Sequence, residues 1–492
     1  MRVEISGHTD NTGDRDHNLD LSRRRAEAVK KHLVDKGIND TQISTRGVGP
    51  DEPIADNKAK SGRSKNRRIE FKLQSRERLR GAAALSSGPS RQFRQGDIAA
   101  VPGSGSRHGF YRRVGARGAR LTRRRLAARM QRAAPGARED AMNDEFDANA
   151  APGPDAGIFG LPFPRERCRL VLVPVPWDLT TSYRAGTAHG PGLVLQASRQ
   201  IDLFDLELGK AYLQGYFLDP IPAELLARNE ALRPVADRLR ALDHDDPAAP
   251  LALAEINAAC AQMNAWVYAQ AQAVQAEGKL LGLVGGDHSV PYSAIRAVSE
   301  RHGGDFGVLH VDAHADLRVA YEGFTHSHAS IMHNVMTAPW RPRKLVQVGI
   351  RDFCEQEYQF IRDRPQEITT FFDRPLKSRM LRGEAFCAIT DEIVAALPAK
   401  VDVSFDIDGL DPTLCPGTGT PVPGGLSFDQ ALELLAALHR GGKTIVGFDL
   451  NEVSGGGPPE SWTHEWDGNV GARLLYKLCG WSMITNGGSA AP

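Results

Sequence analysis

Residues 142–492 alternate short, nearly uninterrupted apolar runs with amphipathic stretches of helical length. The strand candidates are 170–174, 280–284, 306–311, 345–350, 401–407 and 444–450, with helical patterns at 251–277, 428–438 and 470–478. Runs that apolar have no face to offer water, so they predict a parallel sheet covered by helices on both sides. In such sheets ligands bind beyond the carboxyl ends of the strands. Four of the runs end in polar clusters. They are Gly285-Gly286-Asp287-His288-Ser289, Asp312-Ala313-His314-Ala315-Asp316, Asp406-Ile407-Asp408-Gly409-Leu410-Asp411-Pro412 and Asn451-Glu452.

Alternate side chains of an extended chain point the same way. On that basis Asp406 and Asp408 are expected to converge on one site, as are Asp312, His314 and Asp316. With His288 they make two imidazoles and four carboxylates, a nitrogen and oxygen set that suits Mn²⁺ or a similar divalent ion. Four clustered carboxylates would also repel one another without a cation. Taken singly, each cluster has a plainer reading as a turn, a helix cap or surface carboxylates. Their joint occurrence after strands favours metal.

These motifs carry a resemblance. Gly285–Ser289, Asp312–Asp316, and Ser404 to Pro412 running into Pro416-Gly417-Thr418-Gly419-Thr420-Pro421-x-Pro423-Gly424-Gly425 are similar to the ureohydrolase family of arginases and agmatinases. Gly186-Thr187-x-x-Gly190-Pro191 supports the match, which covers about residues 168–480. The resemblance implies a three-layer α/β/α fold on an eight-stranded parallel sheet, with two Mn²⁺ per subunit. It implies that His288, Asp312, Asp316 and Asp406 hold one metal, and that Asp312, His314, Asp406 and Asp408 hold the other. By the same resemblance Glu452 binds a guanidinium, Asp316 takes a proton from the attacking water, and His328 exchanges protons with solvent. His326 and His333 are nearby rivals for that last role.

The implied reaction releases urea and an amine from a small guanidino substrate. Arginases read the amino-acid head group through Asn and Ser in the loop after the Asp-x-His-x-Asp motif. Here that loop is Leu317-Arg318-Val319-Ala320-Tyr321-Glu322-Gly323-Phe324-Thr325, which departs from the pattern and favours agmatine. Glu322 is a candidate for the distal ammonium, with a solvated loop carboxylate as its plainer reading. Arginase, guanidinobutyrase and formimidoylglutamase activities stay open; in a guanidino acid, Arg318 would be the counter-ion. A deacetylase-like enzyme with one zinc is an alternative on the same superfamily fold.

The net charge of +1 conceals unlike segments. Residues 1–73 carry +4, residues 74–141 hold 16 Arg and no Lys for +12, and the remainder carries −15. Within 1–73, strand, turn and helix signals at Val3-x-Ile5, Gly7-His8-Thr9-Asp10 and from Ser22 to Gly37 indicate a small α+β unit. Gly7–Asp10, Asn18-x-x-Leu21-Ser22-x-x-Arg25-Ala26, Gly47-x-Gly49 and Gly62-Arg63-x-x-Asn66-Arg67-Arg68 resemble the OmpA-like family. The resemblance implies peptidoglycan binding through Asp10 and Arg25, with the family's opening strand and helix missing. Such binding requires that the unit folds and is exported; a wall-binding protein is therefore the reading from another class.

The expected division is a partial OmpA-like unit at 1–73, an Arg-rich disordered linker at 74–158 and a ureohydrolase domain at 159–492. Met142 is a candidate true start, as if two neighbouring genes had been joined. A basic helix at 121–134 is possible from pattern, but nucleic acid is not an expected partner. No apolar run reaches the ~18 residues that span a bilayer. Six scattered cysteines argue against a disulfide framework. With no signal peptide read at the start, the expected compartment is the cytoplasm. The ureohydrolase resemblance suggests a homo-oligomer.

Overall fold

The computed structural model describes residues 2–35, 39–74, 146–153, 155–241, 248–456 and 465–488. Gly37, the basic stretch at 121–134 and Met142 lie outside them. The chain divides into two compact units.

The small unit comprises β1 (Arg2–His8), α1 (Arg15–Asp35), β2 (Ile43–Gly49), α2 (Lys60–Asn66) and β3 (Ile69–Gln74). Its sheet has the order β2-β1-β3, with β2 parallel and β3 antiparallel to β1. Ile5, Ala26 and Ile43 form its buried core. Helix α1 begins ahead of the expected Ser22, because Asp14 accepts the His17 N–H at 2.9 Å and caps an earlier turn.

The large unit opens with β4 (Leu170–Pro174), α3 (Gly190–Ser198), β5 (Tyr216–Leu218), α4 (Ala223–Ala241) and α5 (Ala249–Ala276). Then come β6 (Leu280–Val284), α6 (Tyr292–His302), β7 (Gly307–Val311), α7 (Ile331–Thr337), β8 (Lys344–Val348) and α8 (Glu355–Arg362). The last elements are β9 (Ile368–Phe371), α9 (Asp373–Leu381), α10 (Phe386–Ala395), β10 (Lys400–Asp406), α11 (Phe428–Arg440), β11 (Thr444–Asn451) and α12 (Glu465–Thr485). The eight strands form one sheet in the order β5-β4-β6-β11-β10-β7-β8-β9, every pair parallel.

Alternate residues of a strand feed two different cores. Leu170 and Leu172 of β4 pack with α3, α11 and α12 on one face. Val171 and Val173 pack with α5, α6 and α7 on the other. Both faces are dry, which is why the strands read as continuous apolar runs rather than alternating ones. Each buried Leu or Val contributes about 1.5–3 kcal/mol of transfer free energy. The expected three-layer α/β/α architecture is present. The two strands that the apolar pattern did not reveal, β5 and β9, are the short outer strands. Packed structure also starts upstream of residue 159: Ile158 is fully buried, and Phe146 and Ala148 lie against the same core.

Candidate metal centre and active site

The carboxyl ends of the central strands β6, β11, β10 and β7 stand side by side, and the polar clusters follow from them. After β6 the chain passes between two other backbones. Gly285 N–H donates to Leu450 O and Asp287 N–H to Trp177 O, each at 2.8 Å, while Gly286 O accepts the Glu452 N–H at 2.8 Å. A Cβ on Gly286 would sit 1.8 Å from Trp177 O, so only glycine allows this approach. The threading delivers His288 to the middle of the site.

Three carboxylates converge on His288. Its Nδ1 lies 2.9 Å from Asp312 Oδ2, 3.2 Å from Asp316 Oδ2 and 3.3 Å from Asp406 Oδ2. Its Nε2 is 2.9 Å from Ser404 Oγ, which in turn donates to Asp449 Oδ1 at 2.9 Å. A second group centres on His314, whose Nδ1 is 3.2 Å from Asp408 Oδ2 and 3.4 Å from Asp312 Oδ1. Asp312 therefore presents one oxygen to each group. All these side chains are buried except that of His314, which is 25% exposed and marks the mouth.

The convergence does not arise from simple strand alternation. Strand β10 stops at Asp406, and Asp408 lies in the 3₁₀ turn Ile407–Gly409, where Asp406 Oδ1 accepts the Asp408 N–H at 2.8 Å. Asp316 reaches His288 from a left-handed backbone with φ 54°, and Glu452 has φ 60°. Such conformations are costly for these residues and persist only where surrounding contacts hold them.

The electrostatics call for a cation. Burial, then the charges of Asp408 and Asp312, raise Asp406 well above the usual carboxylate range. Burial and the Asp312 charge push Asp316 up to about 7. Burial opposes charge on His288, yet its hydrogen bonds to Asp312, Asp316 and Asp406 raise its pKa well above the ordinary value. Carboxylates packed this closely favour a cation among them, a role that divalent ions can fill. The donor set fits such ions, with ligand atoms of His288, Asp312 and Asp316, and of Asp312, His314 and Asp408, each within 4.8 Å of one another.

Glu452 is nine-tenths buried or more, and its two oxygens differ. Oε1 accepts the His288 N–H at 3.0 Å. Oε2 has no hydrogen-bond partner among the described residues, although it is shielded from solvent. A Cβ on Gly419 would stand 3.3 Å from Oε2, so the missing side chain leaves room beside it. Burial, then the charges of Asp406, Asp287 and Asp408, raise Glu452 well above its ordinary pKa. Such an oxygen has room beside it for a hydrogen-bond partner.

His328 opens the 3₁₀ turn His328–Ser330 ahead of α7. Its N–H donates to Thr180 Oγ1 at 3.0 Å, and Thr180 Oγ1 donates to Asp287 Oδ2 at 2.8 Å. Its Nε2 is 3.4 Å from Ser182 Oγ. Its rivals are packed on aromatic rings, His326 against Tyr292 and His333 against Phe360, both at 5.1 Å between centroids.

Two expected roles meet side chains already engaged. Glu322 does not stand free for a distal ammonium, because its Oε2 pairs with Arg240 Nε at 2.7 Å. Arg318 stacks over Tyr321 at 4.8 Å and lies 3.6 Å from Glu357 Oε2. In the small unit, Asp10 pairs with Arg67 at 2.5 Å and accepts the Thr12 N–H at 2.9 Å, while Arg25 lies exposed on α1. The expected Asp10–Arg25 clamp thus has its carboxylate taken by another guanidinium.

The sequence reading missed His310. It is fully buried in β7, with Nε2 at 2.8 Å from Asp312 Oδ2. The signal was present, since His310, Asp312, His314 and Asp316 recur at every second position, but a histidine inside an apolar strand reads as core.

An all-parallel eight-stranded sheet carries, at its carboxyl edge, a buried His/Asp cluster that could hold metal. Residues 168–479 match the Arginase family, and the chain belongs to it as a ureohydrolase. Residues 1–67 match the OmpA family. The chain is 35% identical over 304 residues to the N(1)-aminopropylagmatine ureohydrolase of Thermus thermophilus, covering 60% of this chain and 85% of that one. It is 32% identical over 284 residues to the agmatinase of Proteus mirabilis, covering 58% and 79%. In fold it is similar to the proclavaminate amidino hydrolase of Streptomyces clavuligerus, with a TM-score of 0.53 at 23% identity over 68% of this chain and 99% of that one.

Proposed function

We propose that the large unit is a binuclear Mn²⁺ ureohydrolase that converts agmatine to putrescine and urea. The observation that carries this reading is the unpartnered, solvent-shielded Oε2 of Glu452, which lies in a cluster of six metal-type ligands. His288, Asp312, Asp316 and Asp406 would hold one ion, and Asp312, His314, Asp406 and Asp408 the other. Bound there, such ions would supply Lewis-acid chemistry, making water acidic enough to attack a guanidinium at neutral pH.

The chain's own groups do the rest. Glu452 accepts charge-assisted hydrogen bonds from the guanidinium and orients its carbon. Asp316, 3.2 Å from His288 Nδ1 in the cluster, takes the proton that the attacking water gives up. His328 is neutral at physiological pH, because burial pushes its imidazole down to about 3. In its neutral form its ring can accept a proton, while Thr180 bonds its backbone N–H and Ser182 faces its Nε2. The departing amine takes a proton as the tetrahedral carbon collapses to urea.

The loop after Asp316 supports a substrate without an α-carboxylate, since Arg318 is engaged by Tyr321 and Glu357. A second reading, N(1)-aminopropylagmatine, is favoured by the name of the Thermus relative. All six cysteines are free, which suits the cytoplasm. The protein loaded with Mn²⁺ is assayed for urea from agmatine, N(1)-aminopropylagmatine, arginine and guanidinobutyrate. Release from agmatine above the others supports the proposal; urea from none of them overturns it.

A further inference from the structure

The large unit buries a polar line across three neighbouring strands. Thr370 of β9 donates from Oγ1 to Gln347 Oε1 of β8 at 2.9 Å. Gln347 Nε2 lies 2.8 Å from the Ala315 carbonyl and 3.0 Å from His310 Nδ1. An amide nitrogen donates two hydrogen bonds and accepts none, and a carbonyl can only accept. The Ala315 carbonyl therefore settles which end of the amide is nitrogen, and His310 Nδ1 must be an acceptor. A neutral imidazole that accepts at Nδ1 carries its proton on Nε2. That Nε2 is 2.8 Å from Asp312 Oδ2, in a region where His310 and Gln347 are both fully buried.

We propose that the Thr370–Gln347–His310 line is a positioning device that fixes His310 as an Nε2–H donor to Asp312, and that His310 is not itself a metal ligand. This rests on the binuclear reading above. Proximity alone would admit His310 as a ligand, because its donor atoms fall within 4.8 Å of those of His288, Asp312 and Asp316. Its hydrogen bonds exclude that role: one ring nitrogen holds the proton and the other faces an amide N–H. What the line supplies is orientation. Asp312 must serve both ligand groups, with Oδ2 towards His288 and Oδ1 towards His314. A donor held on Oδ2 by three strands keeps the carboxylate plane turned to both, as outer hydrogen-bond partners of metal ligands do.

The test is Mn²⁺ binding by the full chain, read as metal count after gel filtration and as affinity by titration followed by electron paramagnetic resonance. Far-UV circular dichroism controls for folding. His310→Gln keeps an N–H donor at the position of Nε2, His310→Leu removes it, and Gln347→Met releases the ring without changing its volume much. Wild type is expected to bind two Mn²⁺. His310→Leu should weaken binding by about 10–100-fold. His310→Gln should stay near wild type, and Gln347→Met should fall between them. If His310→Gln loses metal as fully as His310→Leu, the ring is a ligand and the proposal fails. Wild-type affinity in both His310→Leu and Gln347→Met also overturns it. Wild-type protein that takes up no Mn²⁺ sinks the binuclear reading, and this one with it.

Discussion

Glu452 and His328 are where single substitutions test the proposed function. Replacing Glu452 by Gln keeps the shape but removes the charge that the proposed guanidinium contact uses. A hydrogen bond to a charged group contributes about 1.5–3 kcal/mol. The expected result is a fall of about 10–100-fold in kcat/KM for urea release, with bound Mn²⁺ unchanged. Loss of metal in that variant would show that Glu452 acts on the cluster rather than on substrate. His328 governs a pH effect. Burial pushes its pKa from 6.5 down to about 3. Above about pH 6.5 it is neutral in both folded and unfolded chains and contributes nothing to the pH dependence. Below that, the unfolded chain takes up a proton that the folded one refuses, so stability falls as pH drops towards 3. The slope is about 1.4 kcal/mol per pH unit for this group. In His328→Asn the decline in stability between pH 6.5 and 4, followed by urea unfolding, should be shallower than in wild type; parallel curves would contradict this. His288, Asp312 and Asp408 were legible as candidate ligands because charge after apolar strands is conspicuous. His310 was not, since its meaning depends on Gln347, 37 residues away on another strand.

Among the elements, those with strong local signals were the legible ones. Helix α11 starts at a capping box, with Ser427 Oγ accepting the Gln430 N–H at 3.2 Å and Gln430 Oε1 accepting the Ser427 N–H at 2.9 Å. Removing the cap with Ser427→Ala should cost about 1 kcal/mol, read as a lower urea midpoint for the large unit. An unchanged midpoint would mean that packing of Leu434, Leu435 and Leu438 alone holds the helix. Strands β5 and β9 escaped notice because they span only three and four residues. A run that short cannot show a period. The segment from Asp406 to Asp408 was read as extended chain, and the 3₁₀ turn there is capped by the Asp406 carboxylate through a hydrogen bond that no periodicity reveals.

For the whole molecule, stability and metal are coupled by mass action. Chelation should lower the thermal transition of the large unit and added Mn²⁺ should restore it, because ions that bind only the folded state stabilise it. An unshifted transition after verified metal loading would argue against a structural contribution. The two units can be tested apart. Residues 142–492 should retain urea release and Mn²⁺ binding at the level of the full chain. The small unit is tested by a pull-down on insoluble peptidoglycan, with Asp10→Ala and Arg25→Ala; because Asp10 is engaged by Arg67, retention is expected to be weak. The sequence by itself determined the parallel sheet and the kinds of ligand at its edge. Burial on both faces demands continuous apolar strands, and metal chemistry demands His and Asp after them. Only the tertiary structure decided which groups meet. Strand order brings β6, β11, β10 and β7 side by side, and left-handed turns aim Asp316 and Glu452. The neighbouring strand β8 holds His310 through Gln347, and Arg240 and Arg67 occupy Glu322 and Asp10. Those outcomes depend on contacts between segments far apart in the chain, which a local pattern does not encode.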